Sequence, residues 1–195
     1  MKRAIAAVLC AVVLAAGCGR ANEPAEKEPA QNEQQETGKE EEMQAELDEV
    51  PMELPSEDAA SMGFYTISNG EVVGGEDAWE AFLQADAEGK EASVVVCQYT
   101  REGGAILDYV YRQPEGGYLV VSDSTRDELA TEANLHRTQN FTSLKVFEQF
   151  KLTEDGQEYT ICVLSNEPEL DEETFRTYWR EMSTEAHQTY LLFVI

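Results

Sequence analysis

The stretch Ala92-Ser-Val-Val-Val-Cys-Gln-Tyr-Thr-Arg-Glu-Gly-Gly-Ala-Ile-Leu-Asp-Tyr-Val-Tyr-Arg-Gln-Pro-Glu-Gly-Gly-Tyr-Leu-Val-Val-Ser-Asp123 decides the fold. Its three apolar runs are β-branched and aromatic without helical spacing, and the breaks between them, Glu102-Gly103-Gly104 and Pro114 to Gly117, hold the residues that tight turns require. This is the pattern of a three-stranded antiparallel meander.

Upstream, Gly63–Ile67 and Glu71–Val73 flank Asn69-Gly70 and predict a short hairpin. Glu76-Asp77 opens a helix over Ala78–Ala87, in which Trp79, Phe82 and Leu83 share a face and Gly89 stops the run. Downstream, Ser124 and Asp127 have capping-box spacing for a short helical turn over Glu128–Ala133, and the polar segment up to Asn140 reads as loop. Ser143–Leu152 and Gln157–Leu164, joined through Asp155-Gly156, predict a second hairpin. Asp171 caps a predicted helix over Glu172–Met182, with Phe175, Tyr178, Trp179 and Met182 on one face, and Thr189–Ile195 is apolar enough to need pairing in a sheet. The sum is an α+β domain over 61–195, an antiparallel sheet of about six to eight strands with two helices packed on one face.

The first residues have the pattern of an export signal over 1–17: Lys2 and Arg3, an apolar run from Ala4 to Ala16, then Gly17. That run is short of the roughly 20 apolar residues a bilayer span needs. Leu14-Ala-Ala-Gly-Cys18 resembles a bacterial lipobox, although Leu14 lies one position further from the cysteine than that pattern places it. The resemblance implies a lipidated, palmitate-bearing Cys18 as the first residue of the mature chain, and anchorage to the outer face of the bacterial cytoplasmic membrane. Two or more acyl chains make such anchoring stable.

Residues 18–60 read as an acidic, disordered tether: Asn22 to Asp58 carry 14 acids against two bases. A charged helix over Lys39–Leu47 is the rival reading, since Pro29 and Pro51 leave room for one there. The formal net charge is −25, and from Ala59 to Ile195 there are 25 acids against nine bases. A surface of this sign excludes nucleic acid as a partner and favours cationic proteins or ligands.

The strong catalytic motifs are absent: there is no CxxC, HExxH, phosphate loop, GxSxG or EF-hand loop. No cofactor is expected, and His136 and His187 read as surface residues. Cys97 and Cys162 lie in two apolar strands; they either bridge, which export permits, or pack as core thiols. The meander supplies one polar row. With a three-residue first loop and a four-residue second loop, Gln98 lies opposite Asp108 and Asp108 opposite Asp123, with Arg126 and Asp127 close by. Such a row is an Arg-paired sheet edge, an oxygen-rich cation site for an ion such as Ca²⁺, or a carboxylate pair for hydrolysis.

Gln98-Tyr-Thr-Arg-Glu-Gly103, Ile106, Asp108-Tyr109 and Asp123-Ser-Thr-Arg-Asp127 resemble an uncharacterised lipoprotein domain family of Gram-positive bacteria, over about Glu71 to Leu164. The resemblance implies a surface lipoprotein and brings no activity, substrate or catalytic residue. The tether, the small α+β body and the lack of a catalytic motif point to a domain that binds an extracytoplasmic protein or ligand; the alternative is a hydrolase or other enzyme working through Asp108, Asp123 and Arg126.

Overall fold

The computed structural model describes residues 30–154 and 156–195. The expected signal peptide and Cys18 lie outside the described residues, as does Asp155 of the second hairpin's turn. Among the described residues the fold is α+β, with nine strands in two sheets rather than one.

The elements run α1 (Ala30–Asp48), α2 (Ser56–Ser61), β1 (Tyr65–Ser68), β2 (Glu71–Gly74), α3 (Glu76–Ala87), β3 (Ala92–Tyr99), β4 (Ala105–Arg112), β5 (Tyr118–Asp123), β6 (His136–Phe141), β7 (Ser143–Lys151), β8 (Glu158–Ser165), α4 (Glu172–Arg180) and β9 (Thr189–Val194). The larger sheet has the order β2-β1-β3-β4-β5-β6, and the smaller has the order β7-β8-β9. All pairs are antiparallel except β1 with β3. Those two run parallel because the chain returns through β2 and α3 before re-entering the sheet.

The hairpin at Asn69-Gly70 forms as expected, both residues having positive φ. Asp171 also caps α4 as expected, its carboxylate accepting the Thr174 amide at 2.8 Å. Three expectations change. The polar segment before Asn140 holds β6, which pairs along the whole of β5, and no helix forms over 128–133; a 3-10 turn covers Glu132–Asn134 instead. Met182 leaves the apolar face expected for it, because α4 stops at Arg180 and Met182 turns outward with φ 53°.

The third change concerns the acidic segment. It is helical from Ala30 to Asp48, and Met43 and Leu47, four residues apart and so on one face, are fully buried. The ordered body therefore begins well before residue 61. Glu, Gln, Lys, Met and Ala are good helix formers, and Pro51 ends the possibility of extension.

Three cores result. Met43, Leu47, Val50 and Leu54 pack on one face of the large sheet against Cys97, Leu107, Leu119 and Val121. On its other face Val96, Val110 and Val120 meet Trp79 and Phe82 of α3 and Cys162, Leu164 and Phe193 of the small sheet. Trp79 stacks on Tyr65 and meets Phe193 edge-on, at 5.3 and 5.1 Å between centroids. The outer face of the small sheet is closed by α4, whose Phe175 contacts Phe147, Phe150 and Trp179. Cys97 and Cys162 are both free and buried in cores on opposite faces of the large sheet, so the bridge that export would permit is not made.

Candidate functional site

Loop length decides where the polar residues of the meander go. The first loop spans Thr100–Gly104, since Tyr99 pairs with Ala105 and the Thr100 amide donates to the Gly104 carbonyl at 2.8 Å. It is two residues longer than expected, which moves Gln98 opposite Ile106 but keeps it on the face of Asp108. The second loop is one residue longer, with Arg112 paired to Tyr118. A one-residue slip reverses every side chain. Asp108 thus lies opposite Ser122, Leu107 opposite Asp123, and the two carboxylates point to opposite faces of the sheet. The expected row Gln98–Asp108–Asp123 becomes two separate clusters.

The first cluster lies under α1. Asp123 accepts the Thr125 amide and hydroxyl on Oδ1, at 2.8 and 2.6 Å, and Arg126 Nη1 on Oδ2 at 2.8 Å. The other guanidinium donors reach the last turn of the helix and the segment that follows it: Nη2 to the Leu47 and Val50 carbonyls at 3.1 and 2.6 Å, Nε to the Pro51 carbonyl at 2.9 Å. The last carbonyls of a helix lack intrahelical partners and carry partial negative charge, and α1 has no basic residue in its own last turn. Arg126 supplies that charge from the loop after β5. The side chains of the pair are 3% and 2% exposed, so it is a buried ion pair with its hydrogen bonds satisfied. Burial works to raise the Asp123 carboxyl, but the bonds from Thr125 and Arg126 outweigh it and hold the carboxyl below its ordinary range.

Asp127 takes no part in this pair. Its Oδ1 accepts the Leu129 amide at 3.1 Å, a local turn. Asp108, Asp123 and Asp127 therefore do not converge on one point. Among the described residues, no group of three or more His, Cys, Asp or Glu side chains is placed to hold a metal ion.

The second cluster lies between the sheets. Asp108 is fully buried, and its Oδ1 accepts Ser122 Oγ at 2.5 Å and Tyr190 Oη at 2.8 Å. Gln98 Nε2 donates to the carbonyl of Leu192, the extra residue of a bulge in β9. Burial pushes the Asp108 carboxyl up, by more than the bonds from Ser122, Tyr190 and Gln98 and the charge of Arg137 pull it down. Tyr190 is likewise held well above the ordinary phenol range, by burial first and by Asp108 next. Ser122, Arg137 and Tyr190 belong to this cluster, and the sequence reading missed them. Arg137 sits in a segment read as loop, and Tyr190 reaches Asp108 only through the docking of a second sheet.

His187 and Glu167 form a separate surface pair, Nδ1 to Oε1 at 3.1 Å, with the Tyr178 ring stacked 3.7 Å from the imidazole. A groove of about 300 Å³ opens between α1 and β3, lined by Glu46, Val50, Met62, Phe64, Val95 and Tyr109. Neither polar cluster opens into it.

No family model matches the sequence, and no curated protein or solved structure matches it either.

Proposed function

We propose that this chain is a lipid-anchored lipoprotein at the outer face of the bacterial cytoplasmic membrane, whose α+β domain binds an extracytoplasmic protein or ligand without catalysis. The anchor reading rests on Lys2-Arg3, the apolar run to Ala16 and the lipobox-like approach to Cys18.

The observation that carries the non-catalytic reading is the arrangement of the acids and the arginine that the sequence nominated. Asp123 and Arg126 are bonded to each other and to the end of α1, while Asp108 is closed between the sheets. A hydrolytic pair needs both carboxylates at one accessible point. With 25 acids against nine bases from Ala59 to Ile195, the domain favours a cationic partner.

Feeding cells an alkyne-tagged fatty acid tests the anchor. The whole chain takes up label and stays with the membrane fraction, whereas C18A takes up none. Label on C18A, or an unlabelled soluble wild type, defeats the proposal.

A further inference from the structure

Asp108, Ser122 and Arg137 stand in one row across β4, β5 and β6, on the face turned toward the small sheet. Two atoms in this row are buried without a hydrogen-bond partner: the acceptor Oδ2 of Asp108 and the donor Nε of Arg137. Buried orphans of this kind are rare, and here they are complementary in charge and role. Strands two apart in a sheet are separated by roughly 10 Å, within reach of an arginine directed along the row. The guanidinium is now turned toward the surface instead. Its Nη1 lies 3.7 Å from Glu185, and its Cζ lies 5.8 Å from the centroid of Tyr190. Glu185 belongs to the 3-10 turn Glu185–His187, directly before β9.

We propose that Asp108 and Arg137 form a proton-operated latch between the two sheets, Arg137 exchanging Glu185 for Asp108 when Asp108 ionises. With Asp108 neutral, its proton sits on Oδ2, Oδ1 accepts both hydroxyls, and Arg137 holds the turn through Glu185. Loss of the proton to solvent leaves a negative charge on a buried oxygen with no donor. Arg137 then turns inward to pair with it, and the turn before β9 is released.

The surroundings leave Arg137 as the responding group. Gln98 of β3 donates to the Leu192 carbonyl and its amide also draws the Asp108 carboxyl down, but it carries no charge to offer; Ser122 and Tyr190 already donate to Oδ1, and Cys162 of β8 and Tyr65 of β1 are neutral members of the same core. From α3, Asp86 is bonded to Arg112 and Tyr118, and Glu76 acts on Tyr65. Raising of the Asp108 carboxyl by burial places the exchange above the ordinary carboxylate range of about 4.

Hydrogen exchange over Ser183–Gln188 in the whole chain, corrected for the intrinsic effect of pH and scanned from about pH 4 to about pH 9, reads the latch. Protection in the wild type falls about threefold through a single midpoint, the size that a partly exposed ion pair supports. In D108N, which mimics the neutral acid, protection stays high at every pH. In R137Q, whose replaced side chain is partly exposed, it is low throughout. A flat wild-type profile overturns the latch, as does the wild-type fall persisting in D108N or in R137Q.

Discussion

The guanidinium of Arg126 does at residue scale what the last turn of α1 cannot do for itself. It gives a donor to the Leu47 carbonyl in the last helical turn and to the Val50 and Pro51 carbonyls just beyond it, and binds Asp123 with its remaining nitrogen. Removing one partner of a buried pair leaves the other charged and unsatisfied, so R126A should lose roughly 3–5 kcal/mol in urea denaturation. R126K should lose most of the same amount, because an ammonium cannot span the fork. The two buried carboxylates should also have opposite signatures with pH. Asp123 is depressed in the folded state, so its contribution is present above the unfolded carboxylate value of about 4 and is lost as pH falls through the lower, folded value. Asp108 is raised, so its contribution is full below about 4 and is lost as pH rises through the folded value. The fall of stability on the acid side should therefore be smaller in D123N than in D108N, whereas the decline that begins just above the ordinary carboxylate range should be lost in D108N alone.

At the scale of elements, α1 is held by a narrow contact. Met43 and Leu47 are its buried anchors, and L47A should cost roughly 2–5 kcal/mol and loosen exchange over the whole helix. Gly75, at the start of α3, is a second sensitive point. Its φ is 84°, and a Cβ there would lie 2.0 Å from the Phe64 carbonyl oxygen, so G75A should lower the melting temperature where substitution of exposed Gly63 by Asn should do little. The meander, the Asn69-Gly70 hairpin, α3 and the Asp171 cap were all legible, because each declares itself by period, turn chemistry or a side chain within three residues. Helix α1 was legible only as the rival reading over Lys39–Leu47, and its burial was not, since two apolar residues in an acidic run do not signal burial without the sheet they pack on. The polar strand β6 was hidden in the same way: its edge position lets most side chains face water, so its period is weak. The site was misread for a smaller reason. One residue of loop length separates a carboxylate pair from two unrelated clusters.

Over the whole molecule, the layers run from α1 through the large sheet and the small sheet to α4, and each thiol is closed into a different core. Burial pushes the Cys97 thiol up to about 11 and that of Cys162 still higher. Both should resist a thiol reagent in the native protein and react in denaturant, and reductant should leave the melting temperature unchanged. The position of α1 also changes how the domain would stand on its proposed anchor. Only 11 residues separate Cys18 from Ala30. Such a segment spans at most about 40 Å even when fully extended. The acidic stretch is then part of the body the membrane holds rather than a long spacer below it. Amide exchange of Lys39–Leu47 in the whole chain tests this most directly. Strong protection in the wild type, lost in R126A while β3–β5 stay protected, is the predicted result; exchange at unfolded rates in the wild type would contradict it.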